Sequence, residues 1–394
     1  MPQARNPFEF GRELALDELV DRVEELKELS QVLNGAGKCF LIGPRRYGKT
    51  SLLAGAATLA ARQKALVFRY DGEVFPTLDL LAARMVRDYA ASLAGPAERV
   101  VKAVRTFFKA VKPTVSFKPL DGSWSVSIGV QPPPAGALPL FLEVLDGYEK
   151  AARERSRPTG LILDEFQRIV ERGGADAEGQ LRAAVQTHRH LAYIFAGSET
   201  RVLAAMTGEA SRPFYRLGER RFLGPIPRPA FRQFLSRGFK GALVVTDEGI
   251  EAILDRAEDV PYNVQLLAHA CWESGYASRA GTRLTPDLVA GVEASAARRS
   301  DPLFTQIWTG LTAPQQKALL ALIYEGKGLS SSAVARRYGV PVPTMQKALR
   351  ALETRGIVRE EGSKGEVRLR LEDPLFGSWV RLTIPWEYDE RREE

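Results

Sequence analysis

Gly43-Pro-Arg-Arg-Tyr-Gly-Lys-Thr50 lies between an apolar run, Cys39-Phe-Leu-Ile42, and a helix-forming one, Ser51-Leu-Leu-Ala-Gly-Ala-Ala57. Strand, glycine loop, Gly-Lys-Thr and helix together meet the pattern G-x-x-x-x-G-K-[ST] in the context that gives it a mechanism. The two glycines let the loop curl so that backbone N–H groups of Gly43, Pro44 to Tyr47, Gly48 and Ser51 surround an anion, proline lacking one. The following helix N-terminus adds its partial positive charge. Lys49 is then expected on the β- and γ-phosphates and the Thr50 hydroxyl on Mg²⁺. The expectation is a protein that binds a nucleoside triphosphate.

A second apolar run supports that reading. Thr159-Gly-Leu-Ile-Leu-Asp-Glu-Phe-Gln167 ends in two acids, Asp164 to steer the magnesium shell and Glu165 to polarise an attacking water. Leu191-Ala-Tyr-Ile-Phe-Ala-Gly-Ser198 is a third buried strand, with Ser198 at its carboxyl end as a sensor of the γ-phosphate. Arg212, Arg216, Arg220 and Arg221 follow before a last short strand. One of them is a candidate arginine finger, with Arg216 taken as the catalytic choice.

Bulk properties bound the rest. At 394 residues the chain holds two or three domains, and its net charge of +7 is mildly basic. No apolar run reaches membrane-spanning length and the charged N-terminus is no signal peptide, so a cytoplasmic protein without membrane partners is expected. Cys39 and Cys271 offer no disulfide framework or metal-ligand spacing.

In chain order, Leu19 to Leu29 has helical spacing with Asp21 placed to cap it. Residues 77–111 look helical. The stretch 99–118 is basic, with Phe107, Phe108 and Phe117 interleaved, and leads to a hairpin signal at Asp121-Gly122. It reads as a solvated helix face packed on a small hairpin, with a nucleic-acid or partner surface as the alternative. Gly224-Pro-Ile-Pro-Arg-Pro229 marks a boundary, followed by a helical lid. From Leu311 three helices and a two-stranded hairpin give the winged-helix order. Thr344, Gln346, Lys347 and Arg350 on its third helix and Lys364 at the wing tip would meet double-stranded DNA. Winged helices also serve as protein-contact modules, and the acids Glu353, Glu360, Glu361 and Glu366 keep that alternative open.

These segments together resemble the archaeal-type ATPase family, a branch of the AAA+/STAND P-loop NTPases also found in bacteria. The marks are Asn6-Pro-Phe8, the Arg-Arg inside the phosphate loop, Phe166-Gln167 after the acids, Phe195-Ala-Gly-Ser198, Pro213-Phe-Tyr215 and Asp373-Pro-Leu-Phe376. The resemblance implies an α/β fold: an AAA+-like parallel sheet of five strands over 1–224 with an insertion near 99–130, a helical lid over 225–305 and a winged helix over 306–394. It also implies ATP and Mg²⁺ as cofactors, with hydrolysis to ADP and phosphate. Asp259-Val-Pro-Tyr-Asn-Val-Gln-Leu-Leu267 lacks the lid arginine of initiator-like relatives. It looks more like the Gly-x-Pro element of STAND switches, in which Pro261 would pack near the adenine, although Asp259 replaces the glycine. That favours a slow switch over a fast motor. Its output is either DNA binding or, as the alternative, self-association or a protein partner in a signalling or defence scaffold.

Overall fold

The computed structural model describes residues 5–93, 97–108, 111–118, 123–130, 136–155, 157–198, 200–277, 282–363 and 366–385. The chain forms two compact units: Glu13–Pro225, and Met1–Arg12 together with Ile226–Glu394.

The first unit is built on short apolar runs that pair as strands: β1 (Lys38–Ile42), β2 (Leu66–Asp71), β5 (Thr159–Asp164) and β6 (Leu191–Gly197), of which β1, β5 and β6 are almost wholly buried. The fifth strand, β7 (Glu219–Phe222), is Glu-Arg-Arg-Phe at the sheet's edge and is exposed along its length. All neighbours are parallel, in the order β2-β5-β6-β1-β7. A parallel sheet needs crossovers, and helices Lys49–Arg62, Leu78–Ala91, Ala137–Arg155 and Ala177–Thr187 provide them. The registers Ile42↔Gly197, Ile42↔Phe222 and Asp71↔Asp164 bring the carboxyl ends of all five strands to one edge. Behind that edge, Phe40 stacks on Phe195 at 4.8 Å, and Phe166 and Phe214 close the cluster edge-on. Phe214 is the centre of the Pro213-Phe-Tyr215 mark, so that mark is a core plug.

In sequence, between β2 and β5, comes a separate antiparallel pair, β3 (Val111–Lys118) with β4 (Ser123–Val130). The hairpin turn expected at Asp121-Gly122 falls outside the described residues. Helix Ala97–Phe107 precedes the pair, burying Val100, Val104 and Phe107 and exposing Arg99, Lys102 and Arg105. The single helix expected over 77–111 is thus two, Leu78–Ala91 and Ala97–Phe107. The helix expected from Leu19 begins only at Val23, because Asp21 takes a left-handed backbone (φ 48°) that cannot enter a helix. Arg22 takes the N-cap position instead without capping through its side chain, which is buried and donates to the Gly224 carbonyl at 2.8 Å.

The second unit opens with helices Arg228–Gly238, Asp247–Arg256, Pro261–Ala277 and Pro286–Arg299. Thr246 and Thr285 cap the second and fourth through their hydroxyls. The N-terminal segment belongs here: Phe8 is fully buried against Phe234 and Phe239, and its ring occupies the space where a Cβ on Gly238 would stand. Asn6 donates to the His269 carbonyl (3.1 Å), and Glu9 N–H to Gln265 (3.2 Å).

Helices Ala313–Glu325, Ser332–Arg337 and Val342–Thr354 then lead to the antiparallel pair β8 (Val358–Ser363) and β9 (Glu366–Leu371). Two further helices, Asp301–Thr309 and Pro374–Thr383, are not among the expected elements. The first is exposed over most of its length and buries Phe304, and the second is buried from Pro374 through Val380, which leaves little polar face to mark it as a helix. They pack on each other through Phe304, Phe376 and Trp379, while Glu293 binds both Arg256 and the Ser378 hydroxyl. No described helix is long and apolar enough to cross a membrane.

Candidate functional site

The phosphate loop leaves β1 between two neighbours. Gly43 N–H reaches the Gly197 carbonyl at 3.5 Å, and a Cβ on Gly43 would stand 2.8 Å from Leu223 Cβ. Arg46 and Gly48 are left-handed, at φ 68° and 83°, and Gly48 begins the helix Lys49–Arg62. Tyr47, between them, is buried and anchors the loop. Left-handed residues alternating with right-handed ones turn successive N–H groups to one side, which is how backbone makes an anion cradle. Lys49 is buried and donates to the carbonyls of Gly43 (2.9 Å) and Pro44 (3.2 Å), so its ammonium lies within the loop. The Ser51 hydroxyl accepts from Leu14 N–H at 3.0 Å and ties down the preceding segment. What Ser51 offers an anion is its backbone N–H, one of the first-turn donors without an intrahelical partner.

Across the loop, Thr50 Oγ1 and Asp164 Oδ2 are 3.5 Å apart. Two oxygens brought together at a strand end suit a hard divalent cation such as Mg²⁺. Burial pushes the Asp164 carboxyl above its ordinary value, and Glu165 pushes the same way. The Lys49 ammonium and the Glu165 N–H, which donates to Oδ1 at 3.0 Å, oppose this.

Glu165 itself is left-handed (φ 45°, ψ 47°) and starts the helix Phe166–Gly173. Its Oε2 accepts from Gln167 Nε2 (2.6 Å), Ser198 Oγ (2.9 Å) and Ser198 N–H (3.2 Å). Arg45 Nε approaches the same Ser198 hydroxyl at 3.4 Å. Lys49, Thr50, Asp164, Glu165 and Ser198, named from separate stretches, therefore meet at one edge of one sheet. Sequence reasoning missed Gln167 as a partner of Glu165 and Gly72 as the residue whose lack of a side chain admits the Glu165 carbonyl, 2.7 Å from where a Cβ would be. The Phe-Gln pair beside Asp-Glu was the available signal.

The arginines are not brought to that edge as a group. Arg212 pairs with Glu178 at 2.6 Å and Arg221 with Glu219 at 2.8 Å. Arg220 lies over Gly208. Arg216 is exposed, left-handed (φ 56°), with its guanidinium 5.0 Å above the Tyr215 ring. Pro261 belongs to the second unit, where it opens the helix Pro261–Ala277. Asp259 holds a left-handed backbone (φ 56°), the conformation a glycine would take there at no steric cost, and Arg228 binds its carboxylate at 2.8 Å.

On the helix Val342–Thr354, Met345, Ala348, Leu349 and Leu352 are buried. Gln346, Lys347 and Arg350 are exposed on the opposite side and Thr344 is half-buried. None of these four side chains has a hydrogen bond or ion pair among the described residues. Lys364 falls outside those residues.

Comparison with known proteins agrees with this architecture. Residues 309–368 match the model of the MarR family. Among solved structures, the chain is similar to the Walker-type ATPase PABY2304 of Pyrococcus abyssi, with a TM-score of 0.58 and 19% identity over 95% of this chain and 99% of that one. It is also similar to the ORC2 protein of Aeropyrum pernix in ADPNP–ADP complexes, at 0.54 and 15% over 96% and 98%. The ADP form of that protein gives 0.52 and 16% over 95% of each chain. No curated protein matches. The fold is the AAA+-like P-loop arrangement of these structures, a five-stranded parallel sheet with helices. In this chain the sheet is followed by a C-terminal winged-helix region, within which the MarR family match falls.

Proposed function

We propose that the protein is a slow Mg-ATP-dependent switch ATPase whose nucleotide state governs DNA binding by its winged helix. The observation that carries this reading is the meeting of Lys49, Thr50, Asp164 and Glu165 at the carboxyl edge of the sheet. The ORC2 structures contain ADPNP and ADP, and the shared fold supports an adenine nucleotide here. The loop N–H groups and Lys49 hold the phosphates, while Thr50 and Asp164 are the ligands for the metal. A Mg²⁺ ion held by Thr50 and Asp164 would supply charge neutralisation to the phosphates. Glu165 accepts a proton from the water that attacks the γ-phosphorus, and ADP leaves with its bridging oxygen. Ser198, bonded to Glu165 and approached by Arg45, reports on the same oxygens. Arg216, exposed on the segment before β7, is the arginine proposed as a finger towards a second copy. The lid stretch 259–267 has no arginine, which supports a switch rather than a motor.

The exposed Gln346, Lys347 and Arg350 support DNA as the output, reading the major groove while cations neutralise phosphates. The acids interspersed in the wing region support a second reading, in which a protein or another copy of the chain takes that place.

The test is ATP turnover with and without duplex DNA at two salt concentrations, alongside Glu165→Gln. DNA stimulation that fades with salt is expected, because phosphate contacts release counterions. Turnover that ignores DNA would remove DNA from the mechanism, and parental turnover in Glu165→Gln would remove the base.

A further inference from the structure

We infer that Gln167 is a positioning residue for Glu165: its amide, with Ser198, fixes one carboxylate oxygen and leaves the other to act on water. The inference rests on the reading of Glu165 as the base, and goes on to ask what makes that carboxylate point in one direction.

Glu165 Oε2 receives three donors, the Gln167 amide at 2.6 Å and the Ser198 hydroxyl and N–H at 2.9 and 3.2 Å. Oε1 accepts no hydrogen bond among the described residues. The arrangement is one-sided. A carboxylate terminus rotates broadly when unrestrained. With the acceptor sites of one oxygen filled from two directions, rotation is blocked and the free oxygen keeps a fixed heading. The backbone sets the starting point, since Glu165 is left-handed and its carbonyl sits where Gly72 leaves room.

The environment of Gln167 argues that its N–H is the reason for the residue. The side chain is 1% exposed, and its Oε1 has no donor among the described residues. That oxygen lies against Gly197, where a Cβ would stand 2.3 Å away. A buried acceptor without a donor is unfavourable, and an apolar side chain of the same size would fill the space without that cost. The amide therefore weakens the core while presenting Nε2 to Glu165. Gly197, the last residue of β6, makes the room that lets it lie there.

The experiment compares Gln167→Leu and Gln167→Met with the parent chain in steady-state ATP turnover and in direct binding of a fluorescent ATP analogue. A misdirected base costs about 10- to 100-fold in rate, as small misplacements do. We expect that loss in kcat, with KM and analogue affinity within about twofold. Gln167→Leu placed on Glu165→Gln should add nothing, because the residue acts through the carboxylate. Unchanged kcat in a folded Gln167 variant, while Glu165→Gln loses turnover, overturns the inference. So does a matching loss of analogue binding, or a further loss on the Glu165→Gln background. Gln167→Met carries the same readouts if Gln167→Leu does not fold. If Glu165→Gln itself turns over at the parental rate, the base assignment falls, and the inference with it.

Discussion

The two surfaces through which this chain is read as acting are built on opposite principles. At the carboxyl edge of the sheet the functional polar groups are tied to one another: Lys49 to the loop carbonyls, Thr50 to Asp164, Glu165 to Ser198 and Gln167. On the helix Val342–Thr354, Gln346, Lys347 and Arg350 are held by their helix alone. The difference follows from the ligand each suits. A reacting phosphate needs groups fixed to within about half an ångström, so they must be held by neighbours. A duplex supplies a broad field of phosphates, and flexible cations on a rigid helix suffice. Tied groups should respond to substitution as a unit, and untied ones one at a time.

The largest expected effect is at the tied end. Glu165→Gln should lower kcat by about 100- to 10,000-fold, the range of a general base, with the nucleotide still bound. Equilibrium binding of a fluorescent ATP analogue checks the second half. Gly197→Ala should reproduce the turnover loss of the Gln167 variants with some loss of stability, because the new methyl would press on both the Gln167 amide and Leu203. Turnover measured alongside thermal unfolding separates that effect from a loss of fold.

At the untied end smaller, additive losses are expected. Lys347→Ala and Arg350→Ala should each reduce duplex affinity, and each should lower the slope of log affinity against log salt by about 0.9. Fluorescence anisotropy over a salt series measures this. A loss in the double variant that exceeds the sum of the singles would break the comparison, because it would mean the two side chains are coupled.

The smallest effect serves as a control at the opposite end of the sheet. Burial raises the Glu149 carboxyl, but the His190 ring and the N–H groups of Arg189 and His190 outweigh it and hold the group below its ordinary value. A carboxyl lowered on folding contributes stability that is present above its unfolded value and lost as pH falls through the folded one. Glu149→Gln should therefore cost about 1 kcal/mol near pH 7 and progressively less below pH about 4.5. Urea unfolding at the two pH values tests this, and turnover should be unaffected at pH 7.

Much of this was legible in the sequence for a simple reason. Buried parallel strands must be short apolar runs, and a ligand at their ends must be met by whichever polar residue follows each run. Reading the residue after Ile42, Leu163 and Gly197 was enough to find the loop, the acids and Ser198. What was not legible was pairwise. That Gln167 turns back onto Glu165 depends on a left-handed backbone at a glutamate, a conformation no composition rule favours. That Ser51 serves the segment at Leu14 depends on where a distant stretch packs. The helix Pro374–Thr383 escaped notice because burial from Pro374 through Val380 leaves little of the polar face by which helices are recognised.

The burial of Phe8 among residues of the second unit has a consequence for how the protein is made. A ribosome adds about 5–20 residues per second, so the helix carrying His269 emerges roughly 10–50 s after Phe8. Throughout that interval one of the most apolar side chains of the second unit is outside the exit tunnel with its partners not yet synthesised. The first unit, residues 13–225, is made before those partners and is free to fold during the wait, while Phe8 is covered only once the helices Arg228–Gly238 and Pro261–Ala277 have emerged.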